Sequence, residues 1–167
     1  MTTAFDLIKK TKQIKADSYE FHLHMPTWRK FDPGIALKWQ RTKFNVSGKE
    51  DVPEVRGLYV FTLEAEKLGL PTHGYILYVG ITGNKSKANL RKRFGQYLLE
   101  AKKQNGRPLV MYMLNEWPDD LFFNFMAVPD GAIDLAKIER SFINTVLPPI
   151  NASDFDGDIG PAKKAAF

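Results

Sequence analysis

Two apolar runs near the middle of the chain have the composition of β-strands. Residues 57–63 read Gly-Leu-Tyr-Val-Phe-Thr-Leu and residues 75–80 read Tyr-Ile-Leu-Tyr-Val-Gly, both rich in aromatic and β-branched side chains. The segment between them contains Gly69, Pro71 and Gly74, which favour a loop. The pattern therefore predicts an antiparallel hairpin.

Helical spacing follows the hairpin. After a polar loop at residues 83–87, a helix is predicted from about Asn89, whose side chain can cap it, to about residue 104. Its apolar residues recur at intervals of three and four: Leu90, Phe94, Tyr97, Leu98 and Ala101. A second helix is predicted from Asp130-Gly131 to Val146, ended by Pro148-Pro149, with Glu139 at the margin of its apolar face.

The remaining pattern completes the predicted architecture. Residues 109–113 and 121–128 are further strand candidates, residues 19–25 alternate as a strand does, and residues 5–15 have a modest helical pattern. We expect a small α+β domain, with a central antiparallel sheet made of the hairpin plus one or two further strands and flanked by helices. Residues 1–53 form a basic and aromatic extension, residues 54–151 the main domain, and residues 152–167 a polar tail.

Composition excludes several kinds of site. The chain has no cysteine, which rules out disulfides, thiolate zinc sites and cysteine nucleophiles. It has neither a secretory leader pattern at its first residues nor an apolar run of about 18 residues. We therefore expect a cytoplasmic protein that does not cross a membrane.

Positive charge is concentrated in one stretch of the chain. Residues 81–107 contain eight Lys or Arg and one Asp or Glu, within a net charge of +5 for the whole chain. This favours a polyanionic partner, and the alternative is a solvated basic face of a helix. The candidate nucleic-acid-binding residues are Lys85, Lys87, Arg91, Lys92, Lys102 and Lys103.

Five short motifs occur in a definite order. They are Gly57-Leu58-Tyr59, Tyr78-Val79-Gly80, the helix segment 89–97 with Arg93 and Tyr97, Glu139 on the later helix, and Asn151 after Pro148-Pro149. Each is common by itself, but the ordered set resembles the GIY-YIG nuclease superfamily, which includes excision-repair, homing and restriction endonucleases. The resemblance covers residues 57–151.

The resemblance implies a role for each motif residue on the hairpin and the first helix. Tyr59 stands where the family has the tyrosine that deprotonates or positions the attacking water. Tyr78 matches the second motif tyrosine, which supports that water and a phosphate oxygen. Arg93 matches the arginine that offsets charge on the phosphate, and Tyr97 a position that carries tyrosine or histidine.

The resemblance also implies a metal site. Glu139 matches the glutamate that is the sole protein ligand of the metal, Mg²⁺ or Mn²⁺, and Asn151 matches an asparagine that braces the site. One carboxylate is enough for magnesium when water and phosphate supply the other oxygen ligands.

Phosphodiester hydrolysis requires these residue types on chemical grounds as well. The reaction needs an activated water, a cation to offset phosphate charge and stabilisation of the leaving oxygen. A tyrosine with an ordinary pKa near 10 is a poor base at neutral pH, so we expect the site to lower the pKa of Tyr59. Many family members have lysine after the second motif, whereas this chain has Ile81. Activation of the first tyrosine by a lysine is therefore either missing or supplied by Lys85 or Lys87 from the loop.

The sequence thus predicts a metal-dependent endonuclease acting on DNA. One alternative is a nucleic-acid-binding module that has kept the fold and lost the chemistry, and another is an RNA-processing nuclease. No sequence pattern indicates an oligomeric state.

Overall fold

A four-stranded antiparallel sheet lies at the centre of the computed structural model, which describes residues 4–18, 20–64, 74–152, 155–157 and 159–166. The strands are β1 (Gln40–Lys43), β2 (Gly57–Glu64), β3 (Gly74–Thr82) and β4 (Leu121–Ala127), in the spatial order β1-β4-β2-β3. The predicted α+β class is confirmed, with the predicted hairpin formed by β2 and β3 and two further strands beside it.

Helices cover both faces of this sheet. They are α1 (Ala4–Asp17), α2 (Met25–Trp28), α3 (Leu90–Lys103), α4 (Pro108–Glu116), α5 (Leu135–Val146) and α6 (Ile159–Ala166), with a 3₁₀ helix at Ser47–Asp51. Side chains alternate along β2, so that Tyr59 and Phe61 pack toward α3 and α4, while Leu58 and Val60 pack toward α5. The core therefore has two layers, one on each face.

β3 is an edge strand with an irregular register. Phe61 pairs with Tyr78 and Thr62 with Ile76, so Leu77 is an extra residue between two pairs that are consecutive on β2. The Leu77 carbonyl instead accepts from the Ile150 amide at 3.0 Å. The segment after α5 thus covers part of the outer edge of β3, which would otherwise present unpaired backbone groups.

The N-terminal extension contributes to both layers. Phe44 and Val52 are buried with the α3 layer, and Trp39 stacks on Phe142 of α5 with ring centroids 6.1 Å apart. By contrast, residues 6–15 of α1 are all exposed. Among the described residues, no helix combines the length and apolarity needed to cross a bilayer.

The predicted strand at residues 109–113 is wrong, because this segment lies within helix α4. Pro108 occupies the first turn, where its missing N–H costs nothing, and Val110, Met113 and Leu114 face the core at helical spacing. A short apolar run fits a buried strand and a buried helix equally well in sequence. The spacing of the buried residues shows which one forms.

Three other boundaries differ from the sequence predictions. Residues 20–24 form no strand, and the His24 amide bonds to the Thr145 carbonyl of α5 at 2.9 Å. Helix α5 begins after Asp134, whose side chain accepts from the Ala136 amide, and not at Asp130. The tail contains α6. Tyr19 and the hairpin loop at 65–73 lie outside the described residues.

Candidate functional site

A cavity of about 210 Å³ gathers side chains from both sides of the sheet. Its lining residues are Tyr59, Tyr78, Ile81, Arg93, Gln96, Tyr97, Glu100, Arg107 and Glu139. The tyrosines belong to the α3 side of the sheet, whereas Ile81 packs in the α5 layer and Glu139 lies on α5. Because β3 is the edge strand, side chains from both faces of the sheet can reach this cavity.

Tyr59 and Tyr97 form a buried hydroxyl pair. Both are 2% exposed, and their hydroxyl oxygens are 2.9 Å apart. Burial and the neighbouring Tyr97 and Tyr78 raise the pKa of Tyr59 well above its usual value, although Arg93 acts in the opposite direction. Burial likewise raises the pKa of Tyr97. The pKa of Tyr59 thus shifts in the opposite direction to the one expected from the sequence, because desolvation outweighs the charge of Arg93.

Gly80 makes room for the Tyr59 ring. The two residues pair directly across β2 and β3, so their side chains would point to the same face. A Cβ atom on Gly80 would lie 2.4 Å from the Tyr59 hydroxyl oxygen and 2.5 Å from Cζ. The glycine of the second motif is therefore a steric requirement of the tyrosine of the first.

Arg93 reaches the cavity from α3. Its Nη1 donates to Gln96 Oε1 at 2.9 Å, and Gln96 Nε2 donates to Glu100 Oε1 at 3.0 Å. These residues and Tyr97 recur at intervals of three and four, which places them on one helix face. The Asn89 side chain accepts from the Lys92 amide and fixes the start of this helix.

Arg107 is a second guanidinium at the cavity, and the sequence prediction did not include it. Its Nη2 donates to the Tyr78 hydroxyl at 3.1 Å, and its Cζ lies 5.3 Å from the centroid of the Tyr78 ring. Arg107 is the last cation of the basic stretch and precedes Pro108, where α4 begins. Only its place in the basic stretch could have drawn attention to it, since its contact depends on where α4 packs.

The donor set fits a hard divalent cation. Glu139 and Glu100 contribute carboxylates to the same cavity, and the tyrosines contribute hydroxyl oxygens. Within the described ranges, no group of three or more His, Cys, Asp or Glu residues is placed to hold a metal ion. Mg²⁺ and Mn²⁺ accept oxygen ligands and retain water, so these oxygens are of the chemical type that either ion would take. Of the two carboxylates, Glu139 is the one that the sequence resemblance expects to hold a metal.

Asn151 lies outside the cavity and against its supporting strand. Its side-chain Oδ1 accepts from the Val79 amide and its Nδ2 donates to the Val79 carbonyl, both at 2.9 Å. These two bonds satisfy the Val79 backbone groups on the outer edge of β3, as a neighbouring strand would. They are shielded from water, since Asn151 is 1% exposed. Asn151 thereby holds the strand that carries Tyr78.

The predicted nucleic-acid-binding residues divide into two groups. Lys85, Lys87, Lys92, Lys102 and Lys103 are exposed in the 83–87 loop and along α3. Arg91 instead donates to the Val52 carbonyl at 2.7 Å and to the Glu50 carbonyl at 3.2 Å, and pairs with Glu54 at 3.2 Å. The Arg91 guanidinium therefore ties α3 to residues 50–54.

Comparisons with protein-family models, with curated proteins and with solved structures find no match for this chain.

Proposed function

We propose that this chain is a metal-dependent endonuclease that hydrolyses phosphodiester bonds in DNA through a GIY-YIG-type site. The observation that carries the proposal is one cavity lined by Tyr59, Tyr78, Arg93, Tyr97 and Glu139. These residues lie far apart in the chain, and β2, β3, α3 and α5 bring them to the cavity. Hydroxyl donors, a guanidinium and a carboxylate are the groups that phosphodiester hydrolysis requires.

Each side chain has a role that follows from its surroundings. Arg93 offsets negative charge on the phosphate, because it is the only cation that α3 directs into the cavity among the described residues. Tyr59 and Tyr97 keep their protons, since burial raises the pKa of both, and they therefore position groups by hydrogen bonds. When bound at Glu139, the metal would supply Lewis-acid stabilisation of charge on the phosphate and lower the pKa of water.

Cleavage assays with a matched pair of glutamate variants test the proposal. Supercoiled plasmid, single-stranded DNA, branched DNA and RNA are incubated with the protein in Mg²⁺, in Mn²⁺ and in EDTA. We expect metal-dependent cutting of DNA by the wild type and by Glu116→Gln, an exposed position outside the cavity. Glu139→Gln should abolish cutting, because it removes the metal-binding carboxylate, and should leave DNA binding equal or tighter.

Two results would contradict this function. Cutting by Glu139→Gln at the wild-type rate in saturating Mg²⁺ would show that Glu139 is not the metal ligand. Cutting of RNA in preference to every form of DNA would identify the substrate as RNA and assign the protein to RNA processing.

A second candidate function is nucleic-acid binding without catalysis. It is favoured by the burial of Tyr59, which holds the hydroxyl against Tyr97 and raises its pKa. A binding module would retain salt-dependent affinity for nucleic acid, yet show no cutting in either metal. The same assays therefore separate the two functions.

A further inference from the structure

Arg107 and Tyr78 both line the cavity and are joined by a hydrogen bond. A guanidinium has only hydrogen-bond donors, so in the 3.1 Å contact the Tyr78 hydroxyl must be the acceptor. The proton of Tyr78 is then directed away from Arg107, toward another acceptor. Inside the protein the Tyr97 hydroxyl is a hydrogen-bonding neighbour of Tyr78. Because Tyr78 is 6% exposed and lines the cavity, an acceptor from outside the protein can reach this proton only by entering the cavity.

The position of Arg107 is fixed by the start of α4. Its carbonyl accepts from the Met111 amide at 2.9 Å, and the following Pro108 restricts the backbone of Arg107 to an extended conformation. The guanidinium also lies over the Tyr78 ring, which restricts how far it can swing. The backbone of Arg107 is therefore fixed, and its exposed side chain is held by the contacts with Tyr78.

We propose that Arg107 is a positioning residue that fixes Tyr78 as a hydrogen-bond donor to a phosphate oxygen of the nucleic acid. This inference rests on the proposed function, because it assigns the ligand of the same cavity. It also gives a source for the cation that is missing after the second motif. Ile81 lies at the cavity and carries no charge, and the positive charge beside Tyr78 comes from Arg107, which precedes α4.

A double-mutant cycle between Arg107 and Tyr78 tests the inference. Binding of a fluorescein-labelled DNA duplex is measured by anisotropy in EDTA for the wild type, Arg107→Met, Tyr78→Phe and the double variant. Each single substitution should weaken binding by about 10-fold, the effect of losing a hydrogen bond to a charged group. The double variant should bind no more than about 2-fold more weakly than Arg107→Met, because the two residues act as a unit.

Two further variants show whether the loss of affinity is specific to a cation beside Tyr78. Arg107→Lys keeps a cation and a donor, so it should recover most of the affinity that Arg107→Met loses. Lys12→Met removes an exposed cation of α1 that does not line the cavity, and should change affinity by less than about 2-fold. Thermal unfolding of all variants shows whether each retains the fold.

Multiplicative effects of the two single substitutions would overturn the inference, because independent residues lose affinity independently. An Arg107→Met protein that binds like Lys12→Met would overturn it as well. Binding in EDTA needs no catalysis, so a protein that binds with a coupled pair and cuts nothing counts against the proposed function alone. A protein that binds no nucleic acid at all would overturn both.

Discussion

At the scale of single residues, burial determines what Tyr59 can do. The sequence predicted a tyrosine with a lowered pKa, as a general base requires, but the fold encloses the ring and pairs its hydroxyl with Tyr97. Burial disfavours the charged phenolate, and the charge of Arg93 does not compensate for it. Composition and motif order carry no measure of solvent exclusion, so this difference could not be read from the sequence.

The first prediction concerns the rate of Tyr59→Phe. A neutral hydroxyl that only positions a group contributes about one hydrogen bond, so turnover should fall by roughly 3- to 10-fold. The pH–rate profile should keep its shape, because Tyr59 does not titrate in the neutral range. Single-turnover cleavage of a DNA duplex between pH 6 and 9 measures both. A fall of about 10²–10⁴, with loss of a limb from the profile, would instead identify Tyr59 as the general base.

The second prediction concerns alkaline unfolding. Unfolded tyrosine ionises near pH 10, whereas folded Tyr59 and Tyr97 have raised pKa values. Below that pH both states hold their protons and stability is unaffected. Above it the unfolded state loses protons first, so stability falls as pH rises, by about 1.4 kcal/mol per pH unit for each tyrosine.

Urea unfolding between pH 9 and 11.5 measures this slope. In Tyr59→Phe, the decline of stability with pH should lack the contribution of one tyrosine. In the double variant with Tyr97→Phe, it should lack the contributions of two. Identical slopes in the wild type and both variants would show that these hydroxyls are not buried in the folded protein.

At the scale of elements, sequence patterns were reliable where periodicity was long and ambiguous where it was short. Helices α3 and α5 each bury a stripe that recurs along the helix, and both were predicted. Helix α4 has only three buried residues, and the same short apolar sequence is compatible with a buried strand. This ambiguity also affected the prediction of the site. Arg107 lies at the start of α4, so its contact with Tyr78 could not be predicted without knowing that α4 forms.

The third prediction separates two kinds of cation on α3. Arg91→Met should lower the free energy of unfolding by about 1–3 kcal/mol, because the variant cannot donate to the Val52 and Glu50 carbonyls. The double substitution Lys102→Met and Lys103→Met should change it by less than about 0.5 kcal/mol, since both side chains are exposed.

For DNA binding, we expect the lysine substitutions to have the larger effect and Arg91→Met the smaller one. For every phosphate that the two lysines neutralise, their removal should reduce the slope of log affinity against log salt by about 0.9. Urea unfolding and anisotropy titrations over a range of salt concentrations provide the two measurements. A salt slope unchanged in the lysine variant would make those residues a solvated helix face.

At the scale of the whole molecule, the N-terminal extension and the segment after it share one core. Residues 1–53 were predicted to be an extension of a domain at 54–151. In the structure, β1 lies beside β4, while Phe44 and Val52 are buried under α3. Single aromatic residues in an irregular segment have no periodicity, so the sequence could not show which of them are buried.

The fourth prediction compares two truncations. Removal of residues 1–53 should cost several kcal/mol, because burying side chains such as Phe44 and Val52 contributes about 1.5–3 kcal/mol each. That is a large part of the total stability of a domain of this size. Removal of residues 1–18 should leave the urea midpoint almost unchanged, since residues 6–15 are exposed. Equal midpoints for the two truncated proteins would show that the extension is not part of the folding unit.

The close approach of Gly80 to Tyr59 also constrains how this protein can change by mutation. Alanine at position 80 would place a methyl group 2.4 Å from the Tyr59 hydroxyl oxygen and 2.5 Å from Cζ, so such a change becomes tolerable only after position 59 has lost the ring. The two positions should therefore be inherited together, and a lineage that replaced the glycine first would pass through an unfit intermediate. A suppressor screen that starts from Gly80→Ala should recover smaller residues at position 59, and each such suppressor would restore folding while giving up the hydroxyl.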